Sequence, residues 1–486
     1  MTSISIAPDL SDIESHMLSI LDKQRTDFLR EGHVTASARI DRLDRGIDVL
    51  IRYADQLSEA LNSDFSCRPR ELTLLTDVGA SITPMKHAKK HLGKWMRAEK
   101  RSTVFPLNIL GGRSRVAYQP LGVVGIISPW NFPVSMVFAP MSGALAAGNR
   151  VLVKPSEFTP STSEVIKAMM EDAYDPKEVV VFTGGPEVGQ AFSHLPLDHL
   201  LFTGATSVAK HIMAAASRNL VPVTLELGGK SPVIISRSAD LKQSLARIML
   251  GKTLNAGQIC LAPDYLLVPE ERLHDVIALA QDAVASMYPT LLHNDQYTSV
   301  INERHFQRLH SYLEEAEERG VKTISINPAN EDFSTQPDTQ KIPPTLIPEP
   351  PADSKVLQEE IFGPLLPICT YREFSETIDY INSKPRPLAA YYFGEDPDEQ
   401  SAVETRTTSG GMCINDVIMH IAQEDLPFGG VGPSGMGAYH GVEGFRTFSH
   451  AKSIYKQTKL NVAKLGGMLP PYGATTEKTI KMQVKK

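Results

Sequence analysis

The alternation of hydrophobic and polar positions divides the chain into segments with different predicted structures. From about residue 10 to residue 100, apolar side chains recur every three or four positions among many charges, as in RIDRLDRGIDVLIRYADQLSEAL. This spacing places the apolar residues on one face of a helix. We therefore predict that the N-terminal part of the chain is helical.

Short apolar runs that alternate with helical segments follow from residue 122. The runs are GVVGIIS, RVLVK, EVVVFTG, HLLFTG and VTLELG, and after Gly228 the alternation restarts with KSPVIIS, DYLLVP, FGPLLPICTY, LAAYYFG and GMCIND. Alternating strands and helices of this length predict an α/β fold with parallel sheets, in two successive units. Sheets of this type bind ligands at the carboxyl ends of their strands.

Three segments depart from this alternation. The first is a predicted β-hairpin, with two extended runs on either side of Gly111 and Gly112 in STVFPLNILGGRSRVAYQPLG. The proline-rich stretch KIPPTLIPEPPADSK, residues 341–355, predicts a surface excursion within the second unit. From Phe428 the chain is rich in glycine, and FRTFSHAKSIY then predicts a short extended segment.

Composition and charge narrow the class of protein. Hydrophobic residues make up 42% and charged residues 22% of the 486 residues, which is typical of a globular protein, and the net charge of −7 gives no support for a nucleic-acid partner. The four cysteines form no CxxC pair, so we expect no disulfide framework or metal site and a reducing, cytoplasmic location. We also expect no secretory signal and no membrane segment.

The stretch LNAGQICLAPDY presents one cysteine on irregular backbone. Cys260 follows Asn255 and Gly257 and precedes Pro263, and reactive residues are often found on such loops. A free cysteine is more often a small buried apolar residue, and Cys369 and Cys413 lie in apolar strand patterns that suit this alternative. Cys260 is therefore the candidate nucleophile.

An acid and an amide follow two of the predicted strands. Glu226 ends the apolar run VTLE, where burial would raise the pKa of its carboxyl and suit a general base. The alternative is an edge-strand glutamate that faces water. Asn131, in GIISPWNFP, could donate a hydrogen bond to a developing oxyanion, or could be only a turn residue before Phe132 and Pro133.

Two further strand ends are candidates for nucleotide binding. Lys154 and Glu157 follow RVLVK, where a doubly wound sheet places groups that contact a ribose, and a carboxylate there favours NAD over NADP. Alternatively, Ser156 and Glu157 stabilise the start of the next helix. In FTGATSVAK, a helix that begins after Gly204 could bind a pyrophosphate through its free N–H groups.

Seven motifs in the same order along the chain resemble those of the NAD(P)-dependent aldehyde dehydrogenases. They are PWNFP, KPSE, FTGATSVAK, LELGGKSP, NAGQIC, EEIFGP and PFGGVGPSGMG. The resemblance implies an aldehyde dehydrogenase fold, with a Rossmann-like doubly wound parallel sheet, a second α/β catalytic domain and a β oligomerisation arm. It implies an NAD-binding domain at 1–101 and 119–227, a catalytic domain at 228–427, an arm and C-terminal segment at 102–118 and 428–462, and a tail at 463–486.

The same resemblance implies a role for each matching residue. Cys260 would be the nucleophile, Asn131 the oxyanion donor and Glu226 the base, and the cofactor would be NAD, with NADP as a possibility. The implied cofactor contacts are Ile127, Ser128, Trp130, Lys154, Glu157, Gly185, Gly204, Ala205, Leu227, Glu360 and Phe362. Ala205 and Ala209 stand where the family often has serine and commonly has glycine, so only the backbone part of the phosphate site is carried over.

The motifs GQICLAPDY and GPSGMGAYHGVEGFRTFSH resemble the class 3 branch of the family and its coniferyl aldehyde dehydrogenases. This implies oxidation of an aromatic, coniferaldehyde-like aldehyde to the acid, with medium- or long-chain aliphatic aldehydes as the alternative. An NAD-independent cysteine esterase is the alternative from another class, although no histidine partner is evident in the sequence. The hairpin and the segment near 446–456 resemble the family's arm, which implies a homodimer or homotetramer.

Overall fold

Three β-sheets, two of them covered by helices, form the fold in this computed structural model, which describes residues 10–336 and 339–485. The strands are β1 Glu99–Arg101, β2 Arg113–Pro120, β3 Val123–Ile127, β4 Arg150–Lys154, β5 Val179–Val181, β6 His199–Thr203, β7 Val223–Glu226, β8 Pro232–Ile235, β9 Tyr265–Pro269, β10 Ile324–Ser325, β11 Thr345–Pro348, β12 Leu365–Tyr371, β13 Ala389–Phe393, β14 Gly411–Ile414, β15 Gly435–Met436 and β16 Ser449–Lys456.

Helices precede, connect and follow these strands, and those of residues 10–95 confirm the predicted helical N-terminal part. The helices are α1 Leu10–Glu31, α2 Ala36–Arg52, α3 Ala54–Phe65, α4 Arg70–Thr73, α5 Ala80–Trp95, α6 Ser135–Ala147, α7 Pro160–Ala173, α8 Pro186–Ser193, α9 Thr206–Ser217, α10 Leu241–Thr253, α11 Leu273–Met287, α12 Glu303–Glu318, α13 Lys355–Gln358, α14 Phe374–Asn382, α15 Pro397–Arg406, α16 Gly441–Thr447, α17 Val462–Leu465 and α18 Ala474–Gln483. In the described part of the chain, none of them has the length and apolarity needed to cross a lipid bilayer.

The first large sheet has six strands in the order β15-β7-β6-β3-β4-β5. All neighbours are parallel except β15, which pairs antiparallel with β7. The chain runs outward from β3 through β4 to β5, then returns to place β6 and β7 on the other side of β3. This reversal between β3 and β6 is the ligand-binding crevice of a doubly wound sheet, and it confirms the predicted Rossmann-like architecture.

The second large sheet has seven strands in the order β10-β11-β12-β9-β8-β13-β14, parallel except for β10. It confirms the predicted second α/β unit. The largest buried apolar cluster includes residues of α2, α5 and α6 together with strands of both large sheets. The apolar core is therefore continuous between the two α/β units, and the cavity described below lies where they meet.

The proline-rich segment 341–355 is not the surface excursion that its composition predicted. It contains β11, which pairs with β12, and Leu346 and Ile347 are completely buried. Pro343, Pro344 and Pro348 flank the apolar run instead of interrupting it, so the central residues can still join the sheet.

The third sheet, β1-β2-β16, is antiparallel and largely exposed. The predicted hairpin is only partly correct, because its first strand is Glu99–Arg101 and residues 105–111 form turns. Pro106 cannot donate to a strand ladder, and its carbonyl oxygen instead accepts from the Leu110 N–H. The predicted domain boundaries stay predictions, and residues 1–9 and 486 within them lie outside the described residues.

Candidate active site

A cavity of about 1170 Å³ lies at the carboxyl edge of the six-stranded sheet. It is lined by residues that directly follow β3, β6 and β7 and by two loops of the second α/β unit. Of the residues singled out in the sequence, those that line it are Trp130, Asn131, Gly204, Ala205, Glu226, Leu227, Cys260, Glu360 and Phe362. The sheet therefore brings thiol, amide and carboxylate groups from distant parts of the chain into one space.

Cys260 follows a backbone turn that only a few residues tolerate. Asn255, Ala256 and Gly257 all have left-handed φ angles, of 50°, 51° and 71°. A Cβ atom at Gly257 would lie 2.3 Å from the Gly363 carbonyl oxygen, so glycine is required there by space as well as by φ. The turn leaves Cys260 partly exposed, and the residue lines the cavity.

Gln258 is the buried residue that fixes this turn. Its side-chain amide donates to the carbonyl oxygens of Asn255 and Ser299, each at 3.0 Å, and its Oε1 accepts from the Ile301 N–H. Its own carbonyl oxygen accepts a hydrogen bond from Asn131 Nδ2 at 3.1 Å. The loop that carries Cys260 is thus bonded directly to the side chain of Asn131.

Asn131 is buried and held on two sides, which argues against a simple turn residue. Its carbonyl oxygen accepts from Asn255 Nδ2 at 3.2 Å and from Arg68 Nη1 at 2.6 Å. Its Nδ2 carries two hydrogens, and the bond to Gln258 uses one of them. The second hydrogen is left for a ligand in the cavity that Asn131 lines.

A buried ion pair behind this amide was missed by the sequence analysis. Arg68 and Asp77 have no exposed side-chain surface, and Arg68 Nη2 lies 2.5 Å from Asp77 Oδ2. Asp77 Oδ1 also accepts from the backbone N–H groups of Val134 and Ser135, near the start of α6. No local motif marks this pair, because its importance comes from contacts with residues far away in the chain.

Glu226 ends β7 and is 2% exposed, so the alternative of a water-facing glutamate is wrong. The physical reason is that β15 covers the outer side of β7, with Gly435 opposite Glu226. Within the described residues, neither carboxylate oxygen has a hydrogen-bond partner. Burial therefore raises the pKa of Glu226 well above its usual value of 4.5.

The thiol of Cys260 lies in the same cavity as the Glu226 carboxyl. Burial raises its pKa, and the nearby carboxyl groups of Glu360 and Glu226 raise it further because they disfavour a second negative charge. The thiol form therefore predominates at neutral pH. A reaction at the sulfur requires removal of a proton inside the cavity.

The loop EEIFGP brings Glu360 and Phe362 to the cavity. Asp264 holds this loop, because its Oδ2 accepts a hydrogen bond from the Ile361 N–H at 3.0 Å. Asp264 itself forms an ion pair with Lys230. Burial, then Asp264, raises the pKa of Glu360 to about 8. Phe362 has a left-handed φ of 48°, and its ring lies 5.3 Å from the ring of Trp130.

The other predicted cofactor contacts lie along the same sheet edge but outside the cavity lining. Lys154 Nζ lies 3.2 Å from Glu157 Oε2, and the Ser128 N–H donates to the Lys154 carbonyl oxygen. Ile127 ends β3, and Gly185 directly precedes α8. These predicted cofactor contacts lie at or after the ends of β3, β4 and β5, whereas the cavity is centred on the ends of β3, β6 and β7.

Helix α7 begins at Pro160, and Asp64 accepts hydrogen bonds from the backbone N–H groups of Ser161 and Thr162 there. The interpretation of Ser156 and Glu157 as the residues that stabilise this helix start is therefore wrong. The Glu157 side chain is 34% exposed and forms an ion pair with Lys154. It remains available to a ligand.

The sheet edge has the features that a dinucleotide requires. Helix α9 begins at Thr206 beside the cavity, with no side chain capping its first N–H groups, so these can receive an anion. Glu360 Oε1 and Ser128 Oγ are buried polar atoms without partners in the described residues. Ala205 offers only backbone at the helix start, and Ala209 is buried in the helix.

Helix α12 contributes cavity residues that the sequence analysis also missed. His305 lies with its ring 5.2 Å from that of Trp130, and Arg308 Nη2 donates to the Ile361 carbonyl oxygen at 2.8 Å. Tyr312 donates to Glu359 Oε2 at 2.8 Å. These residues belong to a charged helix with no motif of its own, so the sequence offered no signal for their position.

Comparisons with known proteins agree with this geometry. The sequence profile described as "Aldehyde dehydrogenase family" matches residues 16–454. The chain is 55% identical to the "Probable coniferyl aldehyde dehydrogenase" of Caulobacter vibrioides, over 97% of each chain, and 35% identical to "Aldehyde dehydrogenase family 3 member H1" of Arabidopsis thaliana, over 89% of this chain and 88% of the relative. The second similarity supports the class 3 branch.

A solved structure is similar over nearly the whole length. The "Substrate bound state of Staphylococcus Aureus AldH" superimposes with a TM-score of 0.89 at 37% identity, covering 96% of this chain and 99% of that one. Profile, relatives and structure agree with the seven motifs that first indicated the resemblance. The chain belongs to the aldehyde dehydrogenase family.

Proposed function

We propose that the protein oxidises an aromatic aldehyde of the coniferaldehyde type to its carboxylic acid with NAD, through a thioester on Cys260. The observation that carries the proposal is that Cys260, Asn131 and Glu226 line one cavity beside the start of α9. The aromatic substrate is supported by the name of the relative that is 55% identical. Aliphatic aldehydes remain the alternative to be compared.

Cys260 attacks the aldehyde carbon as its thiol proton passes to water in the cavity, because thiolate is the reactive form of cysteine. The resulting oxyanion accepts hydrogen bonds from the free hydrogen of Asn131 Nδ2 and from the Cys260 N–H. Loss of one such donor typically costs on the order of 10²–10³ in rate. The bond from Asn131 to the Gln258 carbonyl oxygen fixes the amide in place before substrate arrives.

Glu226 acts next, as the base that activates water against the thioester. Its carboxyl has no protein partner among the described residues, and burial raises its pKa toward the range in which a base works at neutral pH. Attack of water on the thioester carbon breaks the carbon–sulfur bond, releases the carboxylic acid and returns Cys260 to its starting form.

NAD supplies the hydride acceptor when it is bound. The N–H groups at the start of α9 would hold its pyrophosphate, Lys154 and Glu157 its adenosine ribose, and Glu360 and Phe362 its nicotinamide side. The Glu157 carboxylate would repel the 2′-phosphate of NADP, which supports NAD as the preferred cofactor. Lys154 and Glu157 already lie 3.2 Å apart, so this clamp is largely formed.

We also propose that the protein is a homodimer or homotetramer and acts in the cytoplasm. The exposed three-stranded sheet and its resemblance to the family's arm support an oligomer. All four cysteines are free, which suits a reducing compartment.

The decisive experiment compares NADH production by the wild type, Cys260→Ala and Glu226→Gln. We expect Cys260→Ala to lose about 10⁴-fold or more in turnover while NAD still binds. Glu226→Gln should give an initial burst of NADH without steady turnover, since the thioester forms but is not hydrolysed. Cys369→Ala, the same kind of change on β12 away from the cavity, is the control and should retain activity.

Undiminished steady turnover in either active-site variant would contradict the role given to that residue. The wild type should also be assayed with aromatic and aliphatic aldehydes and with NAD and NADP. We expect the highest kcat/KM for the aromatic aldehyde with NAD. Ester cleavage without NAD, and no aldehyde-dependent NADH, would instead support the esterase alternative.

A further inference from the structure

Besides the residues proposed to bind NAD, many of the side chains that line the cavity are apolar. They include Leu75, Met136, Leu254, Ile418 and Ile421. Two ionisable residues, Glu424 and His440, belong to the same lining. The body of an aldehyde bound at Cys260 would lie against these apolar side chains.

Glu424 and His440 are held beside each other by direct backbone contact. A Cβ atom at Gly441, the residue after His440, would lie 2.3 Å from the Glu424 carbonyl oxygen. Gly441 also has a left-handed φ of 48°, so this contact depends on glycine. The His440 ring stacks on Phe428, with centroids 5.2 Å apart and an angle of 25° between the planes. The contact places the backbone of Glu424 against that of Gly441, so Glu424 and His440 lie at the same wall of the cavity.

Both side chains have unused hydrogen-bonding capacity. Glu424 Oε2 and His440 Nδ1 are buried without a hydrogen-bond partner in the described residues. Burial lowers the pKa of His440 to about 4, so its ring is neutral at physiological pH and can donate from one nitrogen only. Buried polar atoms without partners are costly, and a ligand that bonds to them removes the cost.

We propose that Glu424 and His440 recognise the ring hydroxyl of a phenolic aldehyde. This inference rests on the proposed function and adds a substrate class to it. The phenol O–H donates to the Glu424 carboxylate, and the phenol oxygen accepts from the His440 ring. An apolar aldehyde offers no such group and leaves both side chains unpaired.

Tyr439 supports the placement of this polar pair relative to the reacting atoms. It is completely buried, and its pKa is raised by burial, then by the charges of Glu226, Cys260 and Glu424. Tyr439 also directly precedes His440 in the chain, so the polar pair is adjacent to a residue that interacts with Glu226 and Cys260.

The test compares coniferaldehyde with the methyl ether of its ring hydroxyl, which cannot donate a hydrogen bond and is larger by one methyl group. In the wild type we expect a higher kcat/KM for coniferaldehyde. Glu424→Gln and Glu424→Leu should reduce the ratio of the two kcat/KM values by roughly tenfold to a hundredfold, because the loss of one hydrogen bond to a charged group has an effect of that order. The loss should appear mainly in KM, since the hydroxyl is remote from the reacting carbon.

Asp425→Asn is the matched control, because it removes the same charge from the adjacent, 86% exposed side chain. We expect the Asp425→Asn variant to have the same ratio of kcat/KM for coniferaldehyde to kcat/KM for the methyl ether as the wild type. The inference is overturned if the wild type uses both substrates equally, if the Glu424 variants keep the wild-type ratio, or if Asp425→Asn loses it to the same extent. Failure of the wild type to oxidise either aldehyde would instead contradict the proposed function.

Discussion

The carboxyl group of Glu226 links catalysis to stability at the scale of single residues. Burial raises the pKa of this carboxyl, so the folded protein holds the proton to a higher pH than the unfolded chain, in which the group ionises near its usual pKa of 4.5. The unfolded state therefore binds fewer protons once the pH exceeds that value, and the free energy of unfolding falls as the pH rises. A general base in this position makes the folded protein less stable at neutral pH.

We therefore expect Glu226→Gln to be more stable than the wild type at neutral pH, by an amount that grows as the pH rises above about 4.5, the usual pKa of the glutamate carboxyl. Urea unfolding at several pH values measures this difference. Glu59→Gln on the exposed side of α3 should show no such trend. A difference that stays constant with pH would mean that Glu226 is ionised in the folded protein.

Site residues could be predicted from the sequence when a short local motif marks them, but not when only distant contacts make them important. Cys260 and Glu226 were evident because each belongs to a short motif on its own strand or loop. Arg68 was not, because its partners Asn131 and Asn255 come from two distant segments. Its guanidinium also lies over the rings of Phe65 and Phe132, 4.9 Å and 5.0 Å from their centres, but such contacts leave no motif in the sequence.

At the scale of elements, the ion pair between Arg68 and Asp77 joins the start of α6 to the loop of Cys260. Removing one partner leaves the other charge buried alone, which typically costs about 3–5 kcal/mol. Asp77→Asn should therefore lower the free energy of unfolding by about that amount. It should also lower kcat, because Asn131 loses its rigid support.

The natural control is the ion pair between Arg70 and Asp55, which has the same N–O distance of 2.5 Å but is exposed. Asp55→Asn should leave the urea midpoint of unfolding nearly unchanged, since solvent screens this exposed pair. Urea unfolding and steady-state kinetics of both variants provide the comparison. Equal destabilisation by the two substitutions would contradict the importance given to burial.

Strands were predicted well where they are buried on both faces and poorly where proline and glycine are frequent. The strands β3, β4, β9 and β13 are buried at every position and mainly apolar, as is typical of strands in the middle of a parallel sheet. Residues 105–111 were predicted to be part of a hairpin strand but form turns that include Pro106. β11 was predicted to be a surface excursion but is a strand of the sheet, with prolines beside its apolar run. Composition alone cannot distinguish these cases, since the difference is set by the neighbouring strand.

At the scale of the whole molecule, each of the three sheets in the described part of the chain is open and ends in edge strands. Within the described residues β16 pairs only with β2, and β14 pairs only with β13. Open edges of this kind invite pairing with another chain unless they are covered. Leu465, Met468 and Tyr472, which follow β16, are also at least half exposed. We therefore expect a second copy of the chain to cover the free edge of β16.

Adjacent proline substitutions test this expectation, because N–H groups point alternately to the two sides of a strand. Lys452 and Ser453 lie opposite Ala117 and Val116 of β2, so the N–H of one points toward β2 and the other toward the free edge. One of Lys452→Pro and Ser453→Pro should lower the molar mass measured by light scattering, with little change in unfolding. The other should mainly lower stability. A monomeric wild type, or two variants that both keep its molar mass, would show that this edge is not the interface.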